Sequence, residues 1–283
     1  MRIYGPALLA VAIAAAHPGG SIHVDAEGRV VFVDTGKGVW RAEGGKLTLL
    51  SSTAYHWMAF DQKGHFAGAK LGDFDGGTFE HVKPAFIISS DYPVTIGRDG
   101  ALYYVPYNKN GPRQLVRRSP AGARSVFANL PTETGEKAMS WVNGLVTAPG
   151  GALYATDNDA ILRIGADGAV TTVHAGIQSP RCNQPLDGPK LPYLRGLDVA
   201  PGGTIYAAAN GCRTAIAISP NGAVRILLES EPPWSPTAVA LHGSDLYVLE
   251  YLHTPTENRA EWIPRVRKIT AAGAISTVAT VTR

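Results

Sequence analysis

The sequence predicts an all-β protein folded as a six-bladed propeller with four antiparallel strands in each blade, and three observations lead to this fold class. The composition has 32 Gly and 20 Pro in 283 residues, with 45% hydrophobic and only 17% charged side chains, which suits short buried strands joined by tight turns. One strand–turn–strand pattern recurs six times along the chain. A second hairpin follows most of these copies.

The recurring unit is an apolar strand, a turn that ends in Gly, and a second strand with an apolar or aromatic residue three positions after the turn. Two copies nearly coincide: NGLVTAPGGALYATD, residues 143–157, and RGLDVAPGGTIYAAA, residues 195–209. The turns of the six units end at Gly28, Gly64, Gly100, Gly151, Gly203 and Ser244. The third position after each turn is Val31, Ala67, Tyr103, Tyr154, Tyr206 and Tyr247, and the second unit matches least well.

Most units continue into a second hairpin whose turn again contains Gly. The segments are VWRAEGGKLTLL, LVRRSPAGARSVFA, ILRIGADGAVTTV, AIAISPNGAVRILL and VRKITAAGAISTVA. Two hairpins supply the four strands of one blade, and closure into a ring protects the sheet edges. The alternative fold, two stacked sandwiches, would not require this four-strand period.

The second unit also holds LGDFDGGTFEH, residues 71–81, which we expect to be an insertion between the strands of its second hairpin. Asp73, Asp75 and Glu80 surround glycines in this segment, as acidic residues do in a loose calcium loop. The segment lacks a matching register of ligands. The insertion is therefore the preferred interpretation.

The first sixteen residues, MRIYGPALLAVAIAAA, have a positive charge followed by an apolar run that ends in small residues. This pattern predicts a signal peptide cleaved near Ala16, a single propeller domain over residues 17–283, and a secreted or periplasmic protein. The alternative is an outer strand of the first or last blade. No other apolar run is long enough to span a bilayer.

Cys182 and Cys212 are the only cysteines, and an even count in an exported chain favours a disulfide.

The charge distribution argues against nucleic acid as a partner. The net charge is only +3, from 26 basic and 23 acidic residues, and the longest basic run is Arg117 and Arg118. No feature indicates an assembly interface, so we expect a monomer.

The meander topology predicts which polar residues share a face. Because the chain reverses at every turn, the loop before the innermost strand and the loop after the second strand lie on the same face of a blade. The start of the innermost strand is Gly20, His56, Tyr92, Asn143, Arg195 and Pro236 in the six units. Asp34, Asp157, Asn210 and Glu250 follow the second strands. Both cysteines belong to this face as well, which supports the disulfide.

Several of these residues predict a small-molecule pocket, since a few polar groups above apolar walls can orient a ligand. A His and a carboxylate on one rim can move protons, so His56, Asp91 and Glu250 are the candidate catalytic residues, with His253 as an alternative base. Arg195, Tyr92 and Asn143 are the candidate ligand-binding residues. In the structural alternative, Asn143 caps its turn, and Arg195 ties two blades together by pairing with Asp157 or Glu250. Aromatic side chains near the strand starts could form pocket walls or core: Trp57, Trp141 and Trp234.

The run VNGLVTAPGGALYATD resembles a blade of the regucalcin and gluconolactonase family, and the other blades resemble NHL-type repeats. The resemblance implies one divalent metal, calcium or zinc, in the channel mouth. Asn143 matches the blade-four Asn of that family, and Asp91 stands at the blade-three Asn. The blade-one Glu is replaced by Gly20 and the blade-five Asp by Arg195, so this metal site would lose two carboxylates and gain a guanidinium.

Two functions follow from these residues. The first is an exported hydrolase of a lactone or small ester, in which Asp91 and Asn143 orient a metal or water and His56 or Glu250 moves protons. The second is a non-catalytic module that recognises a small anion, a glycan or a protein segment around Arg195. The sequence contains no Gly-x-Ser-x-Gly elbow, His-Glu-x-x-His or phosphate-binding Gly loop.

Overall fold

The computed structural model describes residues 18–106, 112–131, 142–177, 182, 192–252 and 258–283. These residues form six four-stranded antiparallel sheets, one per blade, and contain no α-helix. The predicted six-bladed propeller is confirmed. The predicted signal peptide, Trp141 and His253 lie outside the described residues.

The strands are numbered in chain order, four to a blade. Blade one contains β1 (Ile22–Val24), β2 (Val30–Asp34), β3 (Gly38–Glu43) and β4 (Lys46–Ser51), and blade two β5 (Trp57–Phe60), β6 (Asp73–Phe74), β7 (Gly77–Val82) and β8 (Phe86–Ser89). Blade three contains β9 (Val94–Ile96), β10 (Leu102–Tyr104), β11 (Gln114–Arg118) and β12 (Arg124–Asn129), and blade four β13 (Val142–Thr147), β14 (Leu153–Asp157), β15 (Ala160–Ile164) and β16 (Val170–His174). Blade five contains β17 (Leu194–Val199), β18 (Ile205–Ala209), β19 (Thr214–Ile218) and β20 (Val224–Glu229), and blade six β21 (Trp234–His242), β22 (Asp245–Leu252), β23 (Pro264–Ile269) and β24 (Ile275–Thr280). Two short 3-10 turns, Asn210–Cys212 and Arg259–Glu261, follow second strands.

Five blades are simple meanders that run outward from the innermost strand. The turns between their first two strands need a left-handed backbone conformation, which Gly adopts without strain, as the φ angles of Gly28 (78°) and Gly151 (89°) show. Second strands are the most buried, because they have a strand on each side and a neighbouring blade on each face. All five residues of β2, for example, are buried. The core therefore lies between the blades.

Blade two departs from this order, and the strand predicted after Gly64 is wrong. Its sheet order is β5, β8, β7, β6, so the chain leaves the innermost strand, crosses to the outer edge and returns inward. Ala67 lies in the connection, and β8 takes the position next to β5, pairing Trp57 with Ser89. Residues 71–81 are likewise not an insertion, because they contain the two outer strands of this blade. The fully buried Phe66 anchors the connection in the core between blades two and three.

The ring closes by side-chain contacts between blades one and six, since each takes its four strands from one stretch of chain. The Tyr251 hydroxyl donates to the Val33 carbonyl at 2.7 Å. The Arg283 guanidinium forms an ion pair with the fully buried carboxylate of Asp34. These contacts join residues that are 218 and 249 positions apart in sequence.

The disulfide between Cys182 and Cys212 is present, as predicted, and both cysteines are buried in the core cluster of blades four and five. It ties residue 182, between these blades, to the 3-10 turn after β18. Over the described ranges, no helix has the length and apolar character needed to cross a membrane.

Candidate functional site

Three of the six predicted site residues, His56, Asn143 and Arg195, lie where the innermost strands begin, at one end of the central channel. We call this region the mouth, and it comprises residues 18–20, His56, Trp57, Asn143, Arg195, Thr237 and Tyr251. All of these residues are buried. The mouth is filled in part by the chain's own residues 18–20, which the sequence analysis did not foresee.

Arg195 is the charged group of the mouth, and only 1% of its surface is exposed. Its Nη2 atom donates to the Pro18 carbonyl oxygen at 2.6 Å. Burial lowers the pKa of Arg195. The expected tie to Asp157 or Glu250 is not formed, because Asp157 pairs with Arg113 at 2.8 Å and Glu250 pairs with Arg265.

Residues 18–20 fit closely because two of them are glycines. A Cβ atom on Gly19 would lie 2.6 Å from a methyl carbon of Val33 and 3.3 Å from the His56 carbonyl oxygen. The Gly20 amide donates to that same carbonyl at 2.9 Å. A bulkier residue at position 19 would therefore push this segment out of the mouth.

His56 is buried beside Arg195 and is neutral at pH 7. Burial lowers its pKa to about 4, and the positive charges of Arg259 and Arg195 act in the same direction. The hydrogen bond to the Ser90 carbonyl, 2.5 Å from Nδ1, and the charge of Asp91 oppose this shift. A neutral imidazole must carry its proton on Nδ1 to donate to a carbonyl. Among the described residues, two cations and one carboxylate therefore act on the His56 imidazole.

Asn143 and Trp57 meet across the mouth. The Trp57 indole nitrogen donates to the Asn143 carbonyl at 3.2 Å, and both residues are almost fully buried. Trp57 also packs with Ala59, Phe66 and Phe79 in a core cluster, which is the core role proposed as the alternative for the tryptophans. Trp234 lies under the Arg265 guanidinium at 4.0 Å.

The structure does not gather the three predicted catalytic residues around one point. Asp91 is exposed, lies close enough to His56 to influence its pKa, and accepts a hydrogen bond from the Ser90 hydroxyl. Glu250 is fully buried within blade six, where Nε of Arg265 donates at 2.7 Å and the Ser230 hydroxyl donates as well. Their catalytic roles stay predictions.

Tyr92, a predicted ligand-binding residue, is 3% exposed and points away from the mouth. Its hydroxyl donates to the Asp75 carbonyl, and its ring covers Gly77, where a Cβ atom would lie 2.5 Å from the ring. This position packs blade two against blade three.

A divalent metal does not fit the described donors. Asp91 is at the surface and Asn143 is buried, and the position of the missing blade-one carboxylate is occupied by the backbone of Gly20. No group of three His, Cys, Asp or Glu side chains within the described ranges could hold a metal ion. A cation here would also face Arg195.

The possible calcium loop is not assembled either. The Asp75 carboxylate binds the Tyr104 hydroxyl and Nε of Arg124, the latter at 2.8 Å. Glu80 instead accepts from the Tyr55 hydroxyl at 2.7 Å. The acidic residues of this segment have separate partners.

Below the mouth, the six innermost strands enclose a cavity of about 310 Å³. One residue of each innermost strand faces this cavity at the same level, and polar and apolar side chains alternate around the ring. These residues are His23, Ala59, Thr95, Val146, Asp198 and Val239. The Asp198 carboxylate accepts from the amides of Val199 and Leu241, both at 2.8 Å, and thereby joins blade five to blade six. Burial raises its pKa.

Solved structures with the same architecture identify the type of propeller. A virginiamycin B lyase from Staphylococcus aureus is similar over 92% of this chain and 83% of its own, with a TM-score of 0.52 and 17% identity. A streptogramin B lyase is similar over 95% of this chain and 85% of its own, with a TM-score of 0.53 and 14% identity. A protein provisionally named a gluconolactonase is similar over 83% of this chain and 85% of its own, with a TM-score of 0.55 and 18% identity.

This chain is a six-bladed propeller similar in structure to gluconolactonase and virginiamycin B lyase propellers. At these identities the similarity shows the fold and leaves the activity open. No protein-family model matches the chain, and no curated protein matches it.

Arg259 and the segment of residues 18–20 are the site residues that the sequence pattern did not predict. Arg259 follows the last blade's second strand by several residues, so it falls in none of the aligned columns. The signal for residues 18–20 was the Gly pair itself, because Gly at the start of an innermost strand indicates close approach of the backbone.

Proposed function

We propose that this protein is a recognition propeller that binds a small anionic ligand at the mouth around Arg195. The observation that carries the proposal is the hydrogen bond from the buried Arg195 guanidinium to the Pro18 carbonyl at 2.6 Å. A ligand carboxylate placed at this carbonyl would add the attraction of an opposite charge, and its two oxygens can accept from the planar guanidinium as a bidentate pair. Residues 18–20 therefore act as an internal competitor that a ligand displaces.

The electrostatics of the mouth support an anion. Arg195 and Arg259 both disfavour the protonated form of His56, whereas exposed Asp91 favours it, so two of the described charges around this imidazole are positive. Neutral His56 and the Trp57 indole add polar and aromatic surface beside the guanidinium. A pocket of this kind orients a ligand by a few polar groups and buries its apolar part.

The hydrolase interpretation has weaker support from the same geometry. His56 is neutral and engaged with Ser90, Glu250 is paired with Arg265, and the donors do not fit a metal. The similarity to lyases and lactonases does not carry their chemistry to this chain.

The test is saturable stabilisation by small carboxylates, for example acetate and malonate, measured as a concentration-dependent rise in melting temperature and by calorimetry. Arg195→Lys keeps a charge but loses the planar fork, so we expect binding about tenfold weaker. This variant will also be less stable, because Arg195 is buried and holds Pro18. Binding is therefore measured well below its melting temperature.

Arg163→Lys is the matched control, since Arg163 is exposed on β15 away from the mouth. Carboxylate binding that is unchanged in Arg195→Lys would contradict the proposal. Gly19→Val should expel residues 18–20 from the mouth and thereby tighten carboxylate binding. This variant tests separately whether residues 18–20 compete with the ligand.

A further inference from the structure

The reversed connection of blade two builds a ledge, residues 61–69, on the face opposite the mouth. Asp61 is 4% exposed, and its carboxylate accepts from the amides of His65 at 2.9 Å and Phe66 at 2.7 Å. The Asp61 amide donates to the Ala85 carbonyl at 2.8 Å. With Phe66 fully buried below it, the ledge has a fixed conformation.

A cavity of about 450 Å³ lies between this ledge and the turns of blades three and four. We call it the lower groove. Its apolar surface comes from Phe60, Ile96, Ala148 and Pro149. Phe60, Ile96 and Thr147 also line the central channel, so the groove continues into the channel's lower opening.

Three basic side chains line the lower groove: the cations Lys63 and Arg98 and the imidazole of His65. Two of them are placed by turn glycines of the next blade. A Cβ atom on Gly100 would lie 2.3 Å from Cδ2 of His65, and one on Gly151 would lie 3.1 Å from Cδ of Arg98. These glycines let both side chains cross the blade boundary and reach the groove.

The carboxylates near the groove have partners other than Lys63 and Arg98. Asp61 is the acidic residue of the groove lining. The ledge amides of His65 and Phe66 donate to its two carboxylate oxygens, and His65 Nδ1 lies 3.4 Å from Oδ1. Asp99, adjacent to Arg98, pairs with Arg117 at 2.7 Å. Within the described part of the chain, Lys63 and Arg98 form no ion pair. A concave site with apolar walls and uncompensated positive charge complements an acid with an apolar body.

We propose that the lower groove is a second ligand site, which binds a small organic acid with its carboxylate between Lys63 and Arg98 and its apolar part on the groove floor. The site is separate from the mouth, because it lies at the other end of the channel and shares none of the mouth residues. It does not depend on the function proposed for Arg195.

The experiment measures binding of 2-naphthoate by calorimetry, with neutral 2-naphthamide as the matched ligand. Naphthoate should bind saturably and the amide at least about tenfold more weakly, because the amide has no negative charge to pair with Lys63 and Arg98. Lys63→Gln and Arg98→Gln should each weaken naphthoate binding about tenfold. Both side chains are exposed, so the variants should keep the wild-type melting temperature.

Arg163→Gln is the control for a general loss of positive charge and should bind naphthoate normally. Arg195→Lys should also bind normally, which separates this site from the mouth. Loss of naphthoate binding in Arg195→Lys with retention in Arg98→Gln would place the acid at the mouth and overturn the proposal. Equal affinity for acid and amide, or no naphthoate binding at millimolar concentration, would overturn it as well.

Discussion

Several ionisable side chains lie near the propeller axis, and burial has shifted their protonation equilibria. The pKa values of His23 and His56 fall from 6.5 to about 4, because burial disfavours the imidazolium. The His23 ring packs against Phe60 at 4.0 Å, and its Nε2 atom makes no hydrogen bond within the described residues. Each group therefore folds as a neutral side chain.

This burial predicts acid sensitivity. Between pH 6.5 and 4 the unfolded chain binds more protons at these histidines than the folded protein, so stability should decrease as the pH falls through this window. Each group can cost on the order of 2–3 kcal/mol by pH 4. His23→Leu should lose less stability between pH 7.5 and pH 5 than the wild type, measured by urea unfolding. Exposed His81→Gln is the control, and equal losses in all three proteins would contradict the assignment.

At the scale of strands, the innermost strands approach each other too closely for side chains at two positions. A Cβ atom on Gly144 would lie 2.6 Å from the Arg195 carbonyl oxygen, and one on Gly196 would lie 2.6 Å from the Ala238 Cβ. Both glycines directly follow a mouth residue. The Gly after Asn143 and Arg195 in the repeat therefore reflects packing between blades four, five and six.

Gly144→Ala and Gly196→Ala should each lower the free energy of unfolding by about 1–3 kcal/mol, because the added methyl group meets backbone or Cβ atoms that cannot move independently. Gly202→Ala is the matched control, since a Cβ atom there has no neighbour within 4 Å. Its effect should stay within about 0.5 kcal/mol. Urea unfolding checks all three, and a Gly144→Ala protein as stable as the control would show that the blades can separate at this contact.

At the scale of the whole molecule, ring closure depends on contacts rather than on a shared sheet. Arg283 pairs with Asp34 and donates through Nη1 to the carbonyls of Arg259 at 2.8 Å and Ala260 at 2.6 Å. One guanidinium thus joins the first blade to the last and holds the segment that carries Arg259 towards the mouth. Arg283 therefore contributes both to the closure of the ring between blades one and six and to the position of the Arg259 charge near the mouth.

Arg283→Met should destabilise the protein by about 3–5 kcal/mol, because it leaves the buried Asp34 carboxylate without its cation. Adding Asp34→Asn should cost less than the sum of the two single changes, since both remove one interaction. Exposed Arg225→Met should change little. Thermal and urea unfolding of the four variants provide the measurement, and additive losses would mean that the pair does not couple the terminal blades.

The sequence by itself determined the number of blades, the four-strand period, the shared face and the disulfide between Cys182 and Cys212. The blade features depend on local signals, namely alternating apolar residues and turn residues that repeat along the chain, and the disulfide follows from an even cysteine count on one face. The predicted strand order of blade two was wrong, because its residues fit the strand pattern in either order. Only the long-range pairing of β5 with β8 selects the observed order. Export and catalysis stay predictions.

Only the tertiary structure decided the partners of the charged residues. Arg195, Asp157 and Glu250 share one face in the sequence pattern, yet they bind Pro18, Arg113 and Arg265, respectively. The lower groove likewise exists only because three blades bring distant side chains together. Ion pairs and cavities depend on distances between blades, and the repeat pattern carries no information on those distances.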